Sequence, residues 1–137
     1  MSALDSFLGR YTEQAYALMR IVVPFLYLCH GVQKLFGVLG GMGGHAVWGG
    51  PPIFIAAGLI EVPTGILMML GLFTTPAAFL ASGEMAVAYF KVHARQGFWP
   101  VLNHGEIVVA FCFVFLYIAT RGAGIWSLDS LRRKQLI

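Results

Sequence analysis

Three ionisable side chains interrupt segments that are otherwise apolar. His30, Glu61 and Glu84 each lie inside a long hydrophobic stretch, and none of them belongs to a run of charges. Ionisable groups within a membrane are costly and usually face a partner or a wet cavity. An imidazole near two carboxyl groups can share or transfer protons. These residues therefore indicate a ligand-binding or proton-relay site inside the protein.

The segments that carry these residues predict four membrane-spanning helices. They cover about residues 17–39, 52–72, 76–94 and 103–120, and about 20 apolar residues are enough for a helix to cross a bilayer. The chain has 137 residues, of which 58% are hydrophobic and 11% charged. This composition is too apolar for a soluble domain of the same length. We expect an all-α fold, a four-transmembrane-helix bundle that forms a single domain over residues 1–137.

The distribution of lysine and arginine predicts the orientation of this bundle, because cytoplasmic loops and ends carry an excess of positive charge. Four spans place both termini on one side. Six basic residues fall on that side: Arg10, Arg20, Arg121, Arg132, Arg133 and Lys134. Three fall on the other: Lys34, Lys91 and Arg95. Both termini should be cytoplasmic. The basic residues are scattered among spans and ends, which indicates contact with the lipid bilayer and no nucleic acid.

Depth along the helices separates the ionisable residues into two layers. Counting about 1.5 Å per residue from the outer boundaries, three residues fall roughly 12–15 Å deep: His30, Glu61 and Glu84. Three more fall roughly 5–6 Å deep on the same measure: Lys34, Lys91 and Glu106. With Tyr27 on the same face as His30, these residues are the candidates for ligand binding or proton relay. The sequence assigns no catalytic residue.

Helical phase indicates that the candidate residues can converge. Successive residues turn by about 100°, so Glu84 and Lys91 nearly coincide on the third span. On the fourth span, Glu106 shares a face with Phe113 and Tyr117, and we expect this face to point inward. A structural role is the alternative for both layers, in which the same groups form ion pairs and hydrogen bonds that hold the helices together.

Glu106 also has a local alternative. Asn103 and Glu106 have the spacing of a capping box, in which Asn103 would cap the fourth helix and Glu106 would reach back to its amide. Such a role is compatible with contact between Glu106 and Lys34 or Lys91.

The cysteines and the other histidines give weaker signals. Cys29 and Cys112 form no CxxC motif and lie about 100–120° round their helices from the polar face, which favours buried inert thiols. No spacing among His45, His93 and His104 indicates a metal or haem site. We therefore predict no metal and no intrinsic cofactor.

Two short amphipathic segments flank the spans. Leu4, Phe7, Leu8 and Tyr11 recur at three- and four-residue spacing, which is typical of a helix on a membrane surface. After the last span, Ser127 can cap a short basic helix.

Four segments together resemble the DoxX family of small four-helix membrane proteins. They are "RIVVPFLYLCHGVQKLFG" at 20–37, "GLIEVPTGILMMLGLFT" at 58–74, "VLNHGEIVVAF" at 101–111 and "RGAGIWSLD" at 121–129. Each motif is modest alone, but their order and spacing are specific. The family is named for a small membrane subunit of a thiosulfate:quinone oxidoreductase, and relatives are associated with thiol and oxidative stress.

The resemblance implies a multi-pass protein of a bacterial-type inner membrane, associated with redox chemistry. We expect a subunit or accessory of a membrane oxidoreductase that binds quinone or relays its protons, and whether it is itself catalytic stays open. The sequence carries no evident electron carrier, so a redox partner protein is expected. Homo-oligomerisation is left open. The alternatives are transport of protons or a small solute through the bundle, and a structural assembly scaffold.

Overall fold

The secondary structure is helical throughout the part of the chain described by this computed structural model, residues 2–41 and 45–135. This part contains six α-helices and no β-strand. They are α1 (Ala3–Gly9), α2 (Thr12–Phe36), α3 (Pro52–Leu70), α4 (Thr74–Ala88), α5 (Glu106–Arg121) and α6 (Leu128–Gln135). Short 3-10 turns occupy Val47–Gly49 and Ala94–Gln96, and a π-helical turn occupies Tyr89–His93. The prediction of an all-α fold is confirmed.

Proline and glycine define the limits of the two longest helices. Pro52 is the first residue of α3, where a proline ring costs no hydrogen bond. The residues that follow α2 and α3, Gly37 and Gly71, adopt left-handed conformations with φ of 67° and 63°. Glycine takes this conformation without a steric penalty. Both helices are long and apolar enough to cross a membrane.

The four longer helices pack as two neighbouring pairs. α2 packs along α3, α4 packs along α5, and the pairs meet mainly through α3 and α4. Glycine brings α2 and α3 together: a Cβ atom added to Gly31 would lie 2.8 Å from the Cβ atom of Glu61. Likewise, a Cβ atom added to Gly58 would lie 2.8 Å from the side chain of Leu35. Small residues allow this close approach of helix backbones in membranes.

A buried arginine links several parts of the chain at the end of the structure where the described termini lie. Arg20 of α2 is fully buried and donates to four backbone carbonyl oxygens at 2.7–3.2 Å. Those of Met68 and Met69 belong to the last turn of α3, and those of Ile125 and Trp126 follow α5. The guanidinium group therefore joins three parts of the chain: α2, the last turn of α3 and the segment between α5 and α6.

The terminal helices agree with the two amphipathic segments. α1 begins with a capping box between Ser2 and Asp5, and its apolar residues Leu4, Phe7 and Leu8 are exposed. The Ser127 hydroxyl accepts a hydrogen bond from the amide of Ser130 at 3.3 Å, so the predicted cap of α6 is confirmed.

The prediction for the start of α5 is wrong. α5 begins at Glu106 with Gly105 as its N-cap, and no side chain caps it. Asn103 is buried, and its side-chain oxygen accepts from the amide of Gly105, at 2.8 Å. Asn103 thus stabilises the turn before the helix, and the capping box with Glu106 does not form.

The orientation predicted for α5 is also wrong. The face that carries Glu106, Phe113 and Tyr117 is exposed, whereas Phe111, Phe115 and other apolar residues are buried. The aromatic side chains on the exposed face are themselves apolar, so periodicity alone could not tell a lipid-facing stripe from a core-facing one.

Candidate functional site

A cavity of about 720 Å³ lies between the four long helices. All four long helices line it, and most of the lining side chains are apolar. Phe79, Leu80 and Val87 line it from α4 and are themselves exposed, with Phe79 67% accessible. Ile53 at the start of α3 is exposed in the same way. The cavity therefore opens sideways between α3 and α4, on a face that would meet lipid.

Five of the seven candidate residues line this cavity: Tyr27, His30, Lys34, Glu61 and Glu84. They come from α2, α3 and α4, so the polar part of the cavity depends on contact between three helices. The remaining candidates, Lys91 and Glu106, are exposed and do not line it.

A buried ion pair joins α2 to α3 at the wall of the cavity. The ammonium group of Lys34 lies 2.5 Å and 2.7 Å from the two carboxylate oxygens of Glu61, which is 1% exposed. We expected Lys34 to lie in an outer layer with Lys91 and Glu106. Its flexible stem instead reaches back towards the Glu61 carboxylate, because a charge buried in apolar surroundings needs a counter-ion.

Glu84 lies across from this pair and has a different partner. The hydroxyl group of Tyr27 donates to a carboxyl oxygen of Glu84 at 3.2 Å. Among the described residues, no lysine, arginine or histidine lies within ion-pair distance of Glu84. The Tyr27 ring is fully buried, with its centroid 4.8 Å from that of Phe115 and 5.9 Å from that of Phe111. Aromatic packing thus fixes the hydroxyl group that holds Glu84.

His30 presents its ring to the cavity one helical turn from Tyr27. The centroids of the His30 and Phe111 rings are 6.1 Å apart, in an edge-to-face arrangement. The His30 ring forms no hydrogen bond or ion pair within the described residues. An imidazole in this position can donate to or accept from a bound molecule.

The π-helical turn explains why Lys91 does not reach the cavity. The amide of Ala94 donates to the carbonyl oxygen of Tyr89, five residues earlier, so this turn holds one extra residue. An extra residue delays the helical phase by about 100°. Lys91 is therefore rotated away from the face of Glu84, with which a regular α-helix would align it.

The same turn brings His93 to the cavity, a residue that the sequence did not single out. A regular helix would place His93 about 180° from Glu84, and the extra residue reduces this angle to about 80°. His93 lines the end of the cavity beside the start of α5, and its Nδ1 atom lies 3.0 Å from the carbonyl oxygen of Asn103. No pattern in the sequence announces a π-helical turn, so helical phase could not have found His93.

The polar groups make the cavity suitable for an apolar molecule with a hydrogen-bonding head group. Tyr27, His30 and Glu84 supply donors and acceptors, and the Lys34–Glu61 pair supplies a fixed charge pair beside them. Few polar groups in a mainly apolar cavity are typical of small-molecule sites. Within residues 2–41 and 45–135, no group of three or more His, Cys, Asp or Glu side chains could hold a metal ion. Cys29 and Cys112 are free thiols.

Comparison with known proteins assigns the family. Residues 15–94, more than half of the chain, match the DoxX family. A protein of Haemophilus influenzae described as uncharacterized is 40% identical over 126 residues, covering 90% of this chain and 94% of the relative. An uncharacterized membrane protein of Mycobacterium tuberculosis is 28% identical over 125 residues, covering 81% of this chain and 77% of the relative. No solved structure matches the chain. The chain therefore belongs to the DoxX family, and it is a membrane protein.

Proposed function

We propose that this protein binds a quinone in the cavity between its helix pairs and serves as a subunit or accessory of a membrane oxidoreductase. The observation that carries the proposal is the cavity itself. Most of its lining is apolar, it opens between α3 and α4, and Tyr27, His30 and Glu84 supply polar groups to its wall. A quinone has the matching chemistry, since its ring carries two carbonyl oxygens and its tail is apolar. The ring would contact these polar residues while the tail leaves past Phe79 and Leu80 into lipid.

The residues of the cavity would supply protons for quinone reduction. Conversion of a quinone to a quinol takes up two electrons and two protons, one proton on each carbonyl oxygen. Glu84 and His30 would deliver them, and Tyr27, which donates to the Glu84 carboxyl group, would position it. The electrons would come from a partner protein that carries a flavin, a haem or a reactive thiol. The Lys34–Glu61 pair would hold α2 against α3 and keep the cavity in shape.

We further propose that four segments cross a bacterial inner membrane with both termini in the cytoplasm. α2 and α3 have the required length, whereas α5 has 16 residues and is about 24 Å long. The residues that flank α5, and the π-helical turn after α4, would complete the two remaining spans. The test is labelling of single cysteines in a chain without Cys29 and Cys112: Gln96→Cys should react with an impermeant reagent outside intact cells, and Ser6→Cys should not.

The quinone proposal is tested on protein purified from native membranes. Bound quinone is extracted and measured per chain, and binding of a short-chain quinone is then titrated on the emptied protein. Glu84→Leu and Tyr27→Phe should each weaken binding about tenfold, or about 1.4 kcal/mol. Glu84→Leu removes a carboxyl group that can donate to a quinone carbonyl oxygen, and Tyr27→Phe removes the hydroxyl group that holds that carboxyl group.

Glu106→Leu is the matched control, since it removes the same carboxyl group from an exposed residue outside the cavity. The proposal is wrong if the wild-type protein binds no quinone, or if Glu84→Leu and Glu106→Leu bind it as tightly as each other.

A further inference from the structure

His93 is held by a rigid arrangement at the outer end of the cavity. The π-helical turn positions its backbone, and the buried Tyr89 at the start of that turn donates to the carbonyl oxygen of Phe98. The Asn103 side chain donates to the carbonyl oxygen of Gly97 at 2.7 Å, and the Asn103 backbone carbonyl meets His93. π-helical turns often occur at functional sites.

The hydrogen bond to Asn103 fixes which nitrogen of His93 exchanges protons. A carbonyl oxygen can only accept, so Nδ1 carries the hydrogen in this contact, which spans 3.0 Å. Within the described residues, Nε2 has no hydrogen-bond partner. Nε2 can therefore gain and lose a proton while the ring keeps its position.

The cavity connects His93 to the deeper polar residues. Its lining runs from Tyr27 and Glu84 to Ile53, Ile107 and His93. These last three lie at the outer ends of α3, α5 and the π-helical turn. The other ionisable groups that line it are His30 and Lys34 on α2, Glu61 on α3 and Glu84 on α4. Lys34 is paired with Glu61, whereas Nε2 of His93, which follows the last turn of α4, has no partner among the described residues.

We propose that His93 is the group through which the cavity exchanges protons with the aqueous phase outside the outer helix ends. Nε2 takes a proton from outside water and passes it, through water in the cavity, to the carboxyl group of Glu84. Return of the proton follows the same path. This inference rests on the proposed function, since it specifies how the quinone site would be supplied with protons.

The test follows protonation of Glu84 directly, in quinone-free protein in lipid nanodiscs. Infrared spectroscopy records the carboxyl band after a rapid pH jump, and the band is assigned by its loss in Glu84→Gln. His93→Ala and His93→Gln should slow protonation by about tenfold or more, in line with the loss of one general acid–base group. Added imidazole should restore the rate in His93→Ala, where it can occupy the vacated space.

Lys91→Ala is the control, because Lys91 lies on the same turn outside the cavity. His93→Gln separates proton transfer from positioning, since its amide can still donate to Asn103 but cannot carry a proton. The proposal is overturned by unchanged rates in both His93 variants, by slowing that imidazole does not relieve, or by a Glu84 band that does not respond to the jump. Because no quinone is present, these results are independent of quinone binding.

Discussion

At the scale of single residues, the Lys34–Glu61 pair determines how the polar wall of the cavity is held. Both carboxylate oxygens of Glu61 lie within 2.7 Å of the Lys34 ammonium group, and the Lys34 side chain is only 18% exposed. A buried pair of this kind gains little over an apolar pair of similar size, but loss of one member leaves a buried charge without a partner. Substitution of one residue of the pair should therefore destabilise the protein, whereas substitution of both should change its stability little.

We expect Lys34→Met to lower the free energy of unfolding by on the order of 3 kcal/mol, because Glu61 loses its counter-ion. The double variant Lys34→Met with Glu61→Met should recover most of this loss and lie within about 1 kcal/mol of the wild type. Thermal unfolding in detergent, analysed as a double-mutant cycle, measures the coupling.

Lys91→Met with Glu106→Met is the matched control, since both residues are exposed. Equal losses in the Lys34 single variant and this control pair would contradict the importance of the buried ion pair.

At the scale of elements, the approach of α2 to α3 places Glu61 where Lys34 can reach it. Glu61 and Val62 fill the space beside Gly31. A Cβ atom at Gly31 would lie 2.8 Å from the Cβ atom of Glu61 and 2.9 Å from the Cγ2 atom of Val62. The Cβ atom of Glu61 and the backbone nitrogen of Val62, which would lie 3.1 Å away, are fixed by the α3 backbone and cannot move aside without it. Glycine at this position therefore sets the distance between the two helices.

Gly31→Ala should separate α2 from α3 and cost about 1–3 kcal/mol, as overpacking of a well-packed interior does. Chemical denaturation of the purified protein measures the loss. Gly83→Ala is the control within a neighbouring helix, because nothing lies within 4 Å of a Cβ atom there. Gly83→Ala should be neutral or stabilising by up to about 1 kcal/mol; a comparable loss in both variants would show that the contact with Glu61 is not the cause.

At the scale of the whole molecule, the segment after α5 is fastened to the turn between α3 and α4. The carboxylate of Asp129 accepts from the amides of Phe73 and Thr74, at 3.1 and 3.0 Å, and from the Thr74 hydroxyl, at 3.0 Å. Asp129 thus caps the N-terminus of α4 from a distant part of the chain, where a negative charge is also favoured by the helix dipole. Arg20 fastens the same segment from the interior.

This attachment should depend on pH. Burial alone would raise the pKa of Asp129, but the hydrogen bonds from Thr74 and Phe73, with the nearby charge of Arg132, outweigh it and hold the pKa below its ordinary value. A lowered pKa means that the stabilisation is complete above the unfolded value, about 3.9, and is lost as the pH falls through the lower value of the folded state.

Hydrogen exchange of the amides in α6 measures the attachment. Protection in the wild type should fall with decreasing pH in this acidic range, after correction for the intrinsic dependence of exchange on pH. Asp129→Asn should show low protection with no such pH dependence. If amide protection in the wild type shows the same pH profile as in Asp129→Asn, Asp129 does not cap α4.

The sequence by itself determined the helical class, the membrane character and the residues whose ionisable groups lie in apolar segments. These properties are local, so they can be read from the sequence. They depend on the length of an apolar segment and on proline and glycine signals at Pro52, Gly37 and Gly71, which act over a few residues. The tertiary structure alone decided that Lys34 pairs with Glu61, that His93 enters the cavity, and that Lys91 and Glu106 stay outside it. The physical reason is that helical phase depends on every residue before it, so one extra residue in the π-helical turn exchanges Lys91 for His93. The choice of partner for a buried charge depends likewise on which helices approach closely, and a few glycines such as Gly31 control that distance.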